Sequence, residues 1–204
     1  MTEGGYRTDY PKPEKEKSAL RGVIRAVGAD VLVLQEMGDA PYLEELAVDL
    51  RAEGLDYPHR VLLDGPDGER HVAVLSRRPL QRVVRHANLS FAYLGASESV
   101  KRGLLEVAVA ADGGDVTLFA VPLKSRLTEV ASDPNAEARR AAESGVVRDR
   151  ILQRFPSPVA ARYVIAGDFN DGPASRTLER MLARGTTRVA SLVPAVDTRG
   201  ETWT

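Results

Sequence analysis

The chain contains no cysteine, which excludes both a disulfide framework and a thiolate metal centre. That absence does not fix a compartment. It has a single tryptophan, so the sequence gives no support for a nucleic-acid groove built on stacking platforms. Neither charge is in excess. A formal net charge of -1 over 204 residues provides no whole-chain field that would gather nucleic acid nonspecifically. No apolar run approaches the roughly 20 residues of a membrane span, so no integral membrane segment is expected. Residues 1–17 are polar and proline-containing, without the apolar stretch of a signal peptide. As it stands the chain reads as cytoplasmic, and as secreted if a leader preceded it. There is no glycine-rich phosphate loop of the P-loop or dinucleotide type.

What is present is an ordinary globular composition, 43% hydrophobic and 28% charged, in a length that suits one domain. Residues 1–13 read as a loose arm and residues 14–204 as the domain. From Glu14 the pattern is helical, with Leu20, Val23, Ile24 and Val27 on one face and Gly28 as the stop. Val31-Leu32-Val33-Leu34 reads as a strand buried on both faces. Pro41 opens a second helix with Leu43, Leu46, Ala47 and Leu50 on its apolar side. Short β-type runs follow at 59–63, 71–75 and 81–85, the first two joined by the turn Asp64-Gly65-Pro66-Asp67-Gly68. Residues 104–110 and 116–121 predict an antiparallel hairpin across Asp112-Gly113-Gly114. A long helix is expected from about Pro134 to Gln153, a buried strand at Tyr163–Ala166 and a short helix at 175–183. This order predicts an α/β sandwich with mixed sheets and outer helices, not a doubly wound parallel sheet.

Two strand ends carry candidate chemistry. The first apolar strand runs into Gln35-Glu36, and the last into Gly167-Asp168-Phe169-Asn170-Asp171. A carboxylate just past a core strand sits on a rigid support at a sheet edge, where it can face a cleft. Oxygen donors there suit a hard cation such as Mg²⁺. Gly167 lets the chain pass close to a ligand, and in extended chain Asn170 lies on the same side as Asp168. The structural alternatives are a cap or surface ion pair for Glu36 and an Asx-turn for Asp168 and Asn170. Basic residues bunch at Arg77, Arg78, Arg82, Arg85, Lys101 and Arg102, as a solvated strand face or as a phosphate-facing rim. His71 opens a strand, where a lone histidine is more often structural than catalytic.

Four segments in order resemble the endonuclease/exonuclease/phosphatase superfamily, relatives of deoxyribonucleases and sphingomyelinases. Ala29-Asp30-Val31-Leu32-Val33-Leu34-Gln35-Glu36 is similar to its PDVLxLQE strand, and Val72 to Leu80 to its VAILSRYPL strand and turn. Leu118 to Ser125 resembles VxNVHLKS, and Val164 to Asp171 resembles VxGDFND. The resemblance implies a four-layered α/β sandwich, with two mixed, largely antiparallel sheets flanked by helices. It also implies hydrolysis of a phosphodiester or phosphomonoester by metal-assisted attack of water. On that carry-over Glu36 ligates Mg²⁺ or Mn²⁺, Asp168 orients or deprotonates the water, and Asn170 holds the scissile phosphate. Lys124 and Arg102 are further phosphate contacts. The expected partner is a phosphate-ester substrate of unassigned type: a small metabolite, a phospholipid head group or nucleic acid.

The chain departs from the family pattern in three places. No strand ending in Asn precedes the first helix, where the arm offers only Asp9. Pro122 stands where many relatives carry a histidine in the strand before Leu-Lys-Ser, and proline supplies neither a titratable group nor a backbone donor. The closing Asp-His pair is not found, since His59, His71 and His86 all precede Asp168. These departures support an alternative expectation, a fragment or catalytically impaired member that keeps the fold as a binding module.

Overall fold

The computed structural model describes residues 12–196, 199–200 and 202–203. Most of the expected arm lies outside the described residues. The first helix, α1 (Glu14–Val27), ends as expected on Gly28, whose left-handed conformation lets its N–H reach Ile24 O. The strand β1 (Val31–Met37) and helix α2 (Ala40–Ala52) follow, then β2 (His59–Leu63), β3 (His71–Ser76) and β4 (Leu80–His86). A hairpin that the sequence pattern did not reveal, β5 (Ser90–Tyr93) and β6 (Ala96–Ser99), precedes β7 (Leu104–Val109) and β8 (Val116–Ala120). The long helix α3 (Glu137–Arg154), β9 (Tyr163–Ala166) and α4 (Arg176–Leu182) complete the main elements.

One sheet has the order β1-β3-β2 and is antiparallel throughout; the other, β4-β7-β8-β9, is mixed because β9 runs parallel to β8. Strand alternation assigns each face its neighbour. Val72 and Val74 of β3 and Val61 and Leu63 of β2 meet Leu105, Val107, Leu118 and Ala120 between the sheets. The opposite β3 residues, Ala73 and Leu75, pack under Ile24 of α1 and Leu43, Ala47 and Leu50 of α2. Leu104 and Phe119 turn outward to Val147 and Ile151 of α3 and Met181 of α4. The result is helices, sheet, sheet, helices: a four-layered α/β sandwich.

Several local expectations need correction. β1 and β9 are not buried on both faces: every residue of either strand keeps partial or full exposure, and each strand lies at the end of its sheet's strand order. The α1 stripe also differs. Ile24 is buried, but Leu20, Val23 and Val27 are exposed. Arg21 is buried instead, held by Glu14, Asp49 and Glu53 at 2.7, 2.9 and 2.7 Å. A fork of charge-assisted bonds, not apolar contact alone, ties α1 to α2.

Candidate functional site

Glu36 owes its placement to a β-bulge. Leu34 pairs with Ala73 and Met37 with His71, so Gln35 and Glu36 together face the single residue Val72. The extra residue breaks the ladder and re-aims the side chain. Glu36 adopts φ 53°, a left-handed conformation rare for glutamate, and its side chain is 58% exposed. Its Oε1 accepts from Arg102 Nη2 at 2.9 Å. The ion-pair alternative for Glu36 is therefore realised, with a partner that is itself a candidate phosphate ligand.

The second strand end is anchored by main chain. Beyond β8, Val121 N donates to Ala166 O and Leu123 N to Asp168 O, both at 2.9 Å. Gly167 fits because a Cβ there would lie 1.9 Å from Val121 O. Residues 168–170 are not extended. Asn170 has φ 52°, and its N–H donates to Asp168 Oδ1 at 2.8 Å, the Asx-turn weighed above. The turn sends Asn170 Nδ2 to Leu123 O at 3.1 Å. Asp171 then locks the loop to the helices: its Oδ2 accepts from Thr177 Oγ1 at 2.8 Å and Arg140 Nε at 3.3 Å. Burial pushes its carboxyl up, but the Thr177 hydroxyl and Arg140 outweigh this and hold it below the ordinary aspartate range.

Two lining residues, Arg102 and Leu123, join these strand ends to a pocket of about 60 Å³, lined by Pro122 to Ser125 beyond β8, Asp67 and Arg70 before β3, Lys101 and Arg102 before β7, and Glu143 of α3. The two turns that carry its cations touch: Asp67 N donates to Lys101 O at 2.8 Å. Asp67 also meets Arg70 Nε at 3.3 Å and Arg102 Nε at 3.5 Å. Glu143 Oε2 accepts from Lys124 N at 2.8 Å, and its burial raises the carboxyl above the usual glutamate value. Lys124 Nζ contacts Ser125 O at 3.2 Å, Ser125 Oγ at 3.1 Å and Leu127 O. Burial lowers the Lys124 ammonium, and the charges of Arg139, Lys101 and Arg102 lower it further.

Of the expected site residues, Arg102 and Lys124 thus share one pocket, and Glu36 is tied to it through Arg102. Asp168 and Asn170 meet each other and reach the pocket wall through Leu123. Among the described residues no group of three histidine, aspartate or glutamate side chains forms a metal cage. The rest of the basic bunch faces elsewhere: Arg82 pairs with buried Glu106 at 3.4 Å, Arg85 donates to Leu62 O, Arg77 covers Tyr57 and Arg78 faces Asp30. His71 is buried and bonded to Asp39 at 3.2 Å, and His86 to Glu106 at 2.9 Å. The pocket residues Asp67, Arg70 and Glu143 gave no signal in the sequence, because they come from a turn and a helix far apart in the chain. Lys101 was visible only as one basic residue among several.

The model of the endonuclease/exonuclease/phosphatase family matches residues 3–204, and the chain belongs to that family. Solved structures agree on the fold. Beta toxin from Staphylococcus aureus is 17% identical, with a TM-score of 0.63 over 82% of this chain and 62% of its own. Sphingomyelinase C from Streptomyces griseocarneus is 22% identical, with a TM-score of 0.59 over 83% and 61%. TDP2 from C. elegans is 16% identical, with a TM-score of 0.55 over 83% and 45%. The chain therefore spans about three fifths or less of the length of these proteins. One beta toxin structure, of a double mutant, contains bound magnesium ions. No curated protein matches the chain significantly. Among the described residues no helix is long and apolar enough to cross a membrane.

Proposed function

We propose that this chain carries the site of a divalent-metal-dependent phosphoesterase, acting through residues 14–204. The observation that supports this best is the cationic pocket, which Arg102 joins to the Glu36 bulge and Leu123 to the Asp168–Asn170 turn. Glu36 would hold Mg²⁺ or Mn²⁺. The donor set fits: Mg²⁺ takes one or two carboxylates and fills its remaining positions with water and phosphate oxygens, so a single exposed carboxylate beside an anion pocket suffices. When bound, such an ion supplies charge neutralisation at the phosphoryl oxygens.

The other roles follow from the side chains. Asp168 keeps one carboxylate oxygen in the Asx-turn and leaves the other for a water, whose proton it accepts as that water attacks phosphorus. Asn170 gives one amide hydrogen to Leu123 O and turns the rest of its amide to a phosphate oxygen. Arg102 and Lys124 add donors that grip the developing charge on phosphate. The leaving oxygen departs with a proton from solvent, since Pro122 offers none.

Hydrolysis of bis-(p-nitrophenyl) phosphate in Mg²⁺ tests this reading. The parent chain is expected to turn the ester over, and Asp168→Ala to lose about 10²- to 10⁴-fold, the usual contribution of a general base. A parent chain with no Mg²⁺-dependent turnover would sink catalysis by this chain. The alternative, a binding module on the same fold, would then stand, in keeping with Pro122 where many relatives carry a histidine.

A further inference from the structure

We propose that an open groove at the far end of the second sheet binds a carboxylate carried on an apolar body. β8 enters the sheet at Val116 and leaves it at Ala120, toward Pro122 and the strand-end pocket. The groove lies at its entry, where Asp115 and Thr117 line it, together with Arg162 just before β9. It is a second site, and it does not rest on the phosphoesterase reading.

The sheet builds the floor. Arg82 of β4, Ala108 of β7 and Thr117 of β8 are paired in one row across neighbouring strands, and side chains in such a row share a face. That face is the outer one, because Leu104 and Phe119, an even number of residues away, turn to α3 and α4. Helix α3 ends at Arg154, and the chain from Phe155 to Ser157 forms a wall. Between Arg82 and Thr117 the floor is only the methyl of Ala108. The hollow measures about 750 Å³, which is within the size range of small-molecule sites.

A buried carboxylate arms the rim. Glu106, 1% exposed, has Arg82 Nε at 3.4 Å and Arg154 Nε at 3.2 Å from its Oε1, and His86 Nε2 at 2.9 Å from its Oε2. His86 and one arginine would already partner that carboxylate, yet two guanidiniums converge on it. Both approach through Nε, so the terminal nitrogens of both forks are without a partner among the described residues. Arg154 also lies over the Phe155 ring, 4.9 Å from its centroid, which fixes the plane of its fork. The hydroxyl of Thr117, a residue 5% exposed, likewise has no partner among the described residues. Donors gathered on one hollow without an acceptor suit an acceptor from outside.

Charge and lining narrow the ligand. Arg162 is tied to Gly114 O at 2.7 Å and Asp112 O at 3.2 Å, and it adds a third cation to the lining. Within the lining and the Glu106 beneath it, three guanidiniums face two carboxylates, Glu106 and the exposed Asp115. One excess positive charge matches a carboxylate, whereas a phosphate monoester would bring nearly two negative ones. The planar arginine forks also fit a planar carboxylate. Phe155, Pro156 and Ala160 give the groove an apolar side, which suits a hydrocarbon body on the acid. A free carboxylic acid and the C-terminus of a peptide share this chemistry.

Calorimetric titration with 3-phenylpropionate, 3-phenyl-1-propanol, 2-phenylethyl phosphate, acetyl-Ala-Phe and its C-terminal amide tests the site, with amide chemical shifts to locate it. The acids are expected to bind about tenfold more tightly than the neutral alcohol and amide, and to shift Ala108 and Thr117. Arg82→Gln and Arg154→Gln should each remove most of that preference. Ala108→Leu, which fills the floor without changing charge, should abolish binding. Tighter binding of acetyl-Ala-Phe than of 3-phenylpropionate assigns the carboxylate to a chain terminus, and the reverse order assigns it to a free acid; either supports the site. Acid and neutral probes bound alike, tighter binding of the phosphate, shifts confined to residues 122–125, or affinity unchanged in both arginine variants would each overturn the proposal. Turnover of bis-(p-nitrophenyl) phosphate is read separately, so failure of either idea leaves the other standing.

Discussion

Arg102 donates to Glu36 at 2.9 Å through one terminal nitrogen while its Nε faces Asp67 at 3.5 Å. One guanidinium thus joins the bulge at the end of β1 to the turn before β3, and lines the pocket. Because its charge is shared between two carboxylates, Arg102 competes with any cation that approaches Glu36.

Arg102→Gln is accordingly expected to leave Mg²⁺ affinity unchanged or raised, while hydrolysis falls about tenfold through loss of a phosphate contact. Calorimetry and steady-state kinetics measure the two effects separately. Weaker Mg²⁺ binding in the variant would show that Arg102 holds Glu36 in place for the ion and does not oppose it.

Gly167→Ala should be far more harmful than its single methyl suggests. The new Cβ would lie 1.9 Å from Val121 O, and Val121 is held there by its main-chain N–H, which donates to Ala166 O at the end of β9. Relief requires parting those strands, so a loss on the order of 3 kcal/mol or more is expected in urea unfolding. A loss under about 1 kcal/mol would mean that the two segments part easily.

Acid should weaken the fold through Asp133 and Asp171. Both carboxyls lie below their ordinary value of 3.8 despite burial, Asp133 through Ala138 N, Arg139 N and the Tyr93 hydroxyl, Asp171 through Thr177 and Arg140. A carboxylate depressed in the folded state stabilises it above the unfolded pKa, and this contribution is lost as pH falls through the folded one. Unfolding midpoints should therefore drop below about pH 4. Asp171→Asn should flatten part of that limb. Glu143, raised by burial, acts in the opposite sense and weakens the fold as pH rises through its ionisation. Arg140, 1% exposed, leaves Asp171 without its buried cation when changed to Met, at a cost of about 3–5 kcal/mol. Midpoints that stay level from pH 6 to pH 3 would contradict this account.

Pro122→His tests what the pocket lacks. An imidazole there adds a donor beside phosphate and a titratable group near pH 6.5, so kcat/KM should rise about tenfold and gain a new ionisation in its pH profile. If the profile is unchanged, the proline is not what limits this site.

The sequence by itself carried the elements and the ends of the two key strands. Apolar periodicity located α1 and α2, an alanine- and arginine-rich stretch located α3, and turn chemistry at Asp112-Gly113-Gly114 located the β7–β8 hairpin, because these signals are local. The resemblance around Glu36 and Asp168 carried the family. Tertiary structure decided the rest. Whether Val31–Leu34 is central or at a sheet edge depends on which strands pair with it, and no local pattern encodes that. The β5–β6 hairpin, short and polar, takes its strength from Phe91, Tyr93 and Val100 packing by Ala142 and Val146 of α3. The extended geometry expected for Asp168 and Asn170 yielded to an Asx-turn, because Leu123 O and Asp171 fix the loop from outside. The cation pocket is the clearest case. Lys101, Arg102 and Lys124 lie near one another in sequence, but Asp67, Arg70 and Glu143 reach them only once two sheets and α3 have packed, and it is this packing that makes their charges act on each other.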